Sequence, residues 1–345
     1  MDILVFEDGS TDGTKDVIEE ILRSGEIPHF YPYMTLERKG YPKAVKDAIA
    51  SLDPIKYSHI LFMDGDGQYP IDDIKKILDH STSDKYDMVV GGRVQRVEPG
   101  WRKILTIGVR TLESVLFNPS IKDVTSALRL IKIETAQNIS SQVKFSKYNF
   151  WLEFTARMSA LDINVLELPV GYIERYEGES QVYTLKKIPK ILWAEIKAVF
   201  MTFFELNSKT IFKFALIGGT GAIIILFLTW LFTEYSGTWY IFSAAIAIEI
   251  SIIWAFILNT KLTFQFKFKN NIETIKSLLK YHCTALGGMA INLIILYLLT
   301  QYAQLYYLLS EFLGILFAFG FNYIASTRYV WNKQGKKQKT DLIGK

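Results

Sequence analysis

A single cysteine, Cys283, stands in 345 residues. That excludes an internal disulfide framework and any cysteine-built metal site. Charge is thin, at 21% of residues, and nearly absent from the longest apolar runs. The formal net charge of +4 is too modest to argue for nucleic acid, which is not expected as a partner. The chain opens Met1-Asp-Ile-Leu-Val-Phe-Glu7, with acidic residues and no basic stretch, so no amino-terminal signal peptide is expected. Apolar surface, by contrast, is plentiful: half the residues are hydrophobic and 14% aromatic, too many for an ordinary soluble enzyme. The excess is uneven. Residues up to about Leu206 carry the charge of a mixed α/β domain, whereas long apolar runs dominate from Phe212 onward.

Four of these runs reach the roughly 20 residues needed to cross a bilayer. They are Ile211 to Phe232, Tyr240 to Leu262, Tyr281 to Gln301 and Tyr306 to Tyr329. The link between the second and third holds Lys261, Lys267, Lys269, Lys276 and Lys280, and the tail holds Arg328, Lys333, Lys336, Lys337, Lys339 and Lys345. The two hairpin loops carry only Glu234 between them. The positive-inside rule therefore predicts an integral cell-membrane protein of four spans, with both termini and the large amino-terminal domain cytoplasmic. A repeat is visible too. Lys213-Phe-Ala-Leu-Ile-Gly-Gly219 echoes Lys280-Tyr-His-Cys-Thr-Ala-Leu-Gly-Gly288, and Ile257 to Phe264 echoes Ile324 to Trp331. Two helical hairpins thus build the bundle, and the paired glycines suit close helix contact. Glu249, Asn259, Asn292, Glu311 and Asn322 lie in or near spans, where polar groups face a partner or a cavity. Ahead of the first span, Leu185 to Phe204 interleaves Lys186, Lys187, Lys190 and Lys197 with Ile188, Ile191, Trp193 and Phe200. That pattern predicts a basic amphipathic helix in the headgroup plane, in contact with membrane lipids; packing on the soluble core is the plainer alternative.

The first half alternates strand and helix, which predicts a largely parallel, doubly wound sheet. In open α/β sheets ligands bind at the carboxyl ends of strands. Two acidic turns sit there. Glu7-Asp8-Gly-Ser-Thr-Asp12 follows the first strand, and Asp64-Gly65-Asp66-Gly-Gln68 follows the run Ile60 to Met63. Asp64 and Asp66 can face one hard cation while Gln68 adds a neutral oxygen, a donor set suited to Mg²⁺ or Mn²⁺ shared with a substrate diphosphate. Either turn alone is also an ordinary solvated helix cap. Gly91-Gly-Arg93, Trp101-Arg102-Lys103 and Arg175-Tyr-Glu-Gly178-Glu-Ser180 supply the opposite charge, and arginine binds phosphate bidentately.

Together these motifs resemble a family 2 glycosyltransferase of GT-A fold, of the dolichol-phosphate mannose synthase type. The first acidic turn resembles the family's nucleotide-contacting turn, and Asp64-Gly-Asp66-Gly-Gln68 its metal-binding Asp-x-Asp-x-Gln. Gly91-Gly-Arg93, Arg102-Lys103, Asp123-Val-Thr-Ser126-Ala-Leu-Arg129 and Glu167-Leu-Pro-Val170 with Arg175-x-x-Gly178-x-Ser180 resemble its later signatures. The remaining third resembles the GtrA-like membrane domain. There are departures. The chain opens on what resembles the family's second strand, so that either codons precede Met1 or the sheet has an open position. Gly40-Tyr-Pro-Lys43-Ala replaces a Gly-Leu-Gly-like loop, and Ser126-Ala127 replaces Ser-Gly.

The resemblance implies a GT-A (Rossmann-like) domain over 1–184, amphipathic interface helices over 185–208, a four-helix membrane domain over 209–333 and a basic tail over 334–345. It implies inverting transfer of a hexose, with mannose from GDP-mannose ahead of glucose from UDP-glucose, to polyprenyl or dolichyl phosphate at the cytoplasmic face. Glu7, Asp8, Asp64, Gly65 and Asp66 would bind the nucleotide sugar, and Asp64, Asp66 and Gln68 the Mg²⁺ or Mn²⁺. Arg93, Arg102, Ser126 and Arg175 would meet the acceptor phosphate, with Asp66, Arg93, Arg102 and Arg175 as the catalytic set. The oligomeric state stays open. Two rivals remain: a processive polysaccharide synthase, which would carry a Gln-x-x-Arg-Trp motif not found here, and a non-catalytic nucleotide-binding flippase component.

Overall fold

In the computed structural model, the described residues are 1–82, 85–94, 100–173 and 187–331, without the side chains of 82 and 100–105. Two compact units divide the chain, Met1–Leu206 and Asn207–Lys345.

The first unit alternates β1 (Ile3–Glu7), α1 (Thr14–Ser24), β2 (Phe30–Met34), α2 (Tyr41–Ala50), β3 (His59–Phe62) and α3 (Ile71–Leu78). It continues through β4 (Met88–Arg93), α4 (Gly100–Phe117), β5 (Arg129–Lys132), α5 (Ile133–Gln142), α6 (Phe150–Met158) and β6 (Val165–Val170). Hydrogen bonding makes two sheets rather than one. β1 and β2 pair in parallel, Ile3 opposite Phe30 and Glu7 opposite Met34. The other sheet has the order β3-β5-β4-β6, in which β5 runs antiparallel to both neighbours and only β4 and β6 are parallel. The largely parallel sheet expected from the alternation is therefore corrected. Alternation tells where strands lie but not their direction. Here β5 starts at the end of the sheet where β4 finishes, Arg129 opposite Val90, and it passes into α5 without a loop.

β4 explains where the core sits. Met88, Val89 and Val90 are wholly buried, as a strand covered on both faces must be. Val89 joins Tyr69, Ile77, Leu128, Leu130 and Val170 in one cluster. Burying an aliphatic side chain contributes about 1.5–3 kcal/mol, so this cluster anchors the segments on either side of the Asp64–Gln68 turn. α2 and α5 bury Val45, Ala48, Ile49, Ile133, Ala136 and Ile139. α6 begins at Asn149, whose side chain accepts the Leu152 N–H and so satisfies one orphan donor of its first turn.

The amphipathic segment belongs to α7, a single helix from Ile188 to Ser236 with no break before the first apolar span. Within the first unit one face of α7 is packed: Ile191, Ala198, Val199 and Phe203 are buried. Glu195 accepts the Tyr148 and Asn149 N–H groups, and Glu205 pairs with Arg157 at 2.8 Å. Trp193 and Phe204 stay exposed. The helix is therefore core-packed on one side, while its open side mixes Lys190 and Lys197 with Trp193, Phe200 and Phe204. Residues 185 and 186 lie outside the described residues.

The second unit holds the rest of α7 with α8 (Tyr240–Leu258), α9 (Asn271–Gln301) and α10 (Tyr307–Ala325). Among the described residues four helices are long and apolar enough to cross a membrane, in agreement with the sequence. α8 and α10 each end in a π-helical turn, Asn259–Thr263 and Ser326–Val330, at equivalent places in the two hairpins. Phe264 and Trp331, also equivalent, stack on each other at 4.3 Å. The paired glycines differ. A Cβ on Gly288 would run into the Asn322 side chain, so α9 and α10 close on glycine there, whereas Gly218 and Gly219 face open space. Asn292 donates to Glu311 at 3.3 Å, and His282 Nε2 lies 3.0 Å from Glu249 Oε1. The tail after Trp331 lies outside the described residues.

Candidate active site

The first acidic turn is organised by its own carboxylates. Glu7 is buried and accepts the Ser10 N–H, with Lys15 Nζ at 3.7 Å. Burial works against its ionisation, yet the Ser10 bond and Lys15 outweigh it, and its pKa falls below the ordinary value. Asp8 reaches across to the loop before α2, accepting Lys39 N–H and Gly40 N–H at 2.7 Å each. Tyr41, the next residue, donates its hydroxyl to Asp64 Oδ1 at 3.0 Å. Residues 39–41 therefore tie the first turn to the second, and the two acidic strand ends face one region, as the sequence predicts.

On the second turn Asp64 and Asp66 are half-buried while Gly65 is exposed. Asp66 Oδ1 accepts the Gln68 N–H at 3.3 Å and so closes the turn. Gln68 is occupied elsewhere. Its amide nitrogen donates to Ile173 O at 3.0 Å, its amide oxygen accepts from Tyr172 at 2.8 Å, and its backbone carbonyl accepts the Ile173 N–H. It pins the segment after β6 beside the turn. The donor set is hard oxygen throughout, which suits Mg²⁺ or Mn²⁺. Among the described residues no three His, Cys, Asp or Glu side chains converge as a cation site. A cation on Asp64 and Asp66 would thus depend on water and substrate oxygens, as Mg²⁺ does when shared with phosphates.

The expected acceptor residues separate. Arg93 makes a bidentate pair with Asp123, Nε to Oδ2 at 2.8 Å and Nη2 to Oδ1 at 3.0 Å, and also donates to Thr125 at 2.8 Å. Burial alone would lower its pKa, and the Asp123 carboxylate more than offsets this. Its guanidinium lies 5.2 Å over the Tyr172 ring. Asp123 is in turn held by Glu167, which accepts the Asp123 and Lys122 N–H groups at 2.8 Å each. Ser126 is fully buried and donates to Gly91 O at 2.6 Å, so no acceptor phosphate reaches it in this conformation. Arg102 lies on the first turn of α4 and its side chain is not described; Arg175, Gly178 and Ser180 lie outside the described residues.

Three residues at the site carry no sequence signal as lone aromatics. Tyr41 stands where the resemblance leads one to expect leucine. Trp151, 1% exposed, donates its indole N–H to the Tyr41 hydroxyl at 2.9 Å. Tyr172 joins Gln68 to Arg93. Beneath them, Arg129 is wholly buried, donates to Ser126 O, Val124 O and Thr155, and lies 4.7 Å over the Trp151 ring. Burial lowers its pKa to about 10.

Comparison with known proteins fits this geometry. Residues 1–139 match the model of glycosyl transferase family 2, and residues 213–331 that of the GtrA/DPMS transmembrane domain. A dolichol-phosphate mannosyltransferase of Pyrococcus furiosus is 24% identical over 341 residues, spanning 96% of this chain and 90% of that protein. An undecaprenyl-phosphate mannosyltransferase of Micrococcus luteus is 26% identical over 189 residues, 52% of this chain and 75% of its own. Glycosyltransferase AglJ of Haloferax volcanii is 25% identical over 185 residues, 51% of this chain and 55% of its own.

Proposed function

Since this chain is a glycosyltransferase that joins a family 2 domain to a GtrA/DPMS transmembrane domain, we propose that it transfers mannose from GDP-mannose to a polyprenyl phosphate, with inversion. One observation carries this reading: the likeness to the Pyrococcus dolichol-phosphate mannosyltransferase runs through both domains, over 96% of the chain. The site supports it. Asp8 and Asp64 are linked through residues 39–41 into one acidic crevice at the carboxyl ends of β1 and β3. The spans make the chain an integral membrane protein. The lysine-rich link between the second and third spans supports a cytoplasmic catalytic unit.

Asp64 and Asp66 would hold a Mg²⁺ or Mn²⁺ ion, which when bound offsets charge on the departing diphosphate. The acceptor phosphate is an anion near neutral pH, so the protein needs no strong general base. It needs positive guidance. Arg93 is committed to Asp123 and acts by holding the 123–126 turn in place, which leaves Arg102 and Arg175 to meet the acceptor. A single displacement on the face opposite the diphosphate inverts the anomeric carbon.

The test is transfer of radiolabelled sugar to a short polyprenyl phosphate, with GDP-mannose and UDP-glucose in parallel and EDTA as control. Chloroform-extractable, EDTA-sensitive label from GDP-mannose, lost in Asp66→Asn, is the expected result. Label from UDP-glucose alone would overturn the donor, and label surviving in Asp66→Asn would overturn the role of the turn.

A further inference from the structure

We propose that Tyr41 is a positioning residue for Asp64, and that it sets how tightly the Asp64–Asp66 turn holds a divalent cation beside a nucleotide diphosphate. The inference rests on the reading above for the cation itself. The polarity of the chain of contacts is fixed by chemistry. An indole N–H only donates and an ionised carboxylate only accepts. With Trp151 Nε1 at 2.9 Å and Asp64 Oδ1 at 3.0 Å, the Tyr41 hydroxyl hydrogen must point at Asp64.

Both ends of this chain are anchored. Trp151 is buried, with Phe62 against it at 4.9 Å and the Arg129 guanidinium over its face at 4.7 Å. Phe62 ends β3, two residues before Asp64. On the other side, the residue preceding Tyr41 is pinned by the Gly40 N–H to Asp8. The phenol therefore cannot swing away without breaking contacts that also hold the two acidic turns. Asp64 itself is half-buried on a glycine-bearing turn. A donor that fixes one oxygen fixes the carboxylate plane, so a cation meets an oriented ligand. Orienting partners of this kind typically change metal affinity about 10–100-fold.

The experiment titrates Mn²⁺ into the full-length chain in detergent, with GDP present, and follows the free-ion signal by electron paramagnetic resonance. Tyr41→Phe keeps the ring and removes only the hydroxyl. We expect its Mn²⁺ Kd to rise about tenfold or more, and the Mn²⁺ concentration for half-maximal transfer to rise by the same factor. Because this variant strands the Trp151 N–H, the double variant Tyr41→Phe/Trp151→Phe is measured beside it and should bind Mn²⁺ as weakly as Tyr41→Phe. Unchanged Mn²⁺ affinity in Tyr41→Phe would overturn the assignment alone, as would recovery of wild-type affinity in the double variant. No Mn²⁺ binding by the wild-type chain would overturn the metal reading and this inference with it.

Discussion

Gly92 and Glu167 compete for one small volume, and that competition makes a sharp double-mutant prediction. A Cβ on Gly92 would lie 2.6 Å from Glu167 Oε1 and 3.0 Å from Cγ and Cδ, so Gly92→Ala forces the carboxylate aside. Overpacking of this kind costs about 1–3 kcal/mol. Displacing Glu167 also loosens its bond to the Asp123 N–H, and hydrogen bonds to charged groups contribute about 1.5–3 kcal/mol. The Lys122 N–H is exposed and water can replace Glu167 there. The total for Gly92→Ala is thus about 3 kcal/mol, and Glu167→Ala alone should cost about 2 kcal/mol. In the Glu167→Ala background the new methyl has room. Alanine is better than glycine in a strand by about 0.5–1 kcal/mol, so the second substitution should become neutral or mildly stabilising. The coupling is then about 3 kcal/mol, near the upper end for residues in contact. Thermal unfolding of the full-length chain in detergent reads it, at about 2–4 °C per kcal/mol for a domain of this size. Additive effects of the two substitutions would refute the argument that Glu167 is the obstacle.

Asp123→Asn leaves the Arg93 guanidinium buried without its countercharge, and should lower stability by about 3–5 kcal/mol in the same assay; a loss under 1 kcal/mol would contradict a tightly held pair. The Lys76 ammonium, with the Gly171 N–H, holds the Asp73 pKa below its reference of 3.8. Its stabilisation is therefore complete above about pH 3.8 and is lost as pH falls through the lower folded value. The difference in midpoint between wild type and Asp73→Asn should shrink as acid is added, and a pH-independent gap would exclude this account. In the second unit, His282 Nδ1 donates to Leu278 O at 2.9 Å and Nε2 meets Glu249 Oε1 at 3.0 Å. Glu249→Gln can still bond the imidazole and should unfold at a higher temperature than Glu249→Leu; equal midpoints would argue against that contact.

Much of this was readable in the residues, and the rest was hidden for physical reasons. The acidic turns, the four spans and the hairpin repeat are local patterns, and each stands where its spacing predicts. The direction of β5 was not readable, because Arg-Leu-Ile-Lys has the same side-chain period whichever way it runs. Glu7, Asp8 and Gln68 look like ligand contacts in sequence, since backbone N–H and C=O groups are invisible there; the structure gives each of them a backbone partner. Arg93 has a similar history. A guanidinium in a glycine turn suggests phosphate, but Asp123 arrives from 30 positions away to claim it. Tyr41 and Trp151 meet across 110 positions, beyond the reach of any local motif.

The stack of Phe264 on Trp331 bears on the internal symmetry of the membrane unit. Corresponding residues of two repeats touch one another only where the symmetry axis relating those repeats passes. In the topology proposed above each hairpin would leave one face of the bilayer and return to it, which would put that axis along the membrane normal. The unit is then an isologous dimer written on a single chain, with its seam through the two π-helical turns. A lone hairpin would leave that seam bare. Any change at Phe264 is met by its own counterpart, Trp331, across that seam.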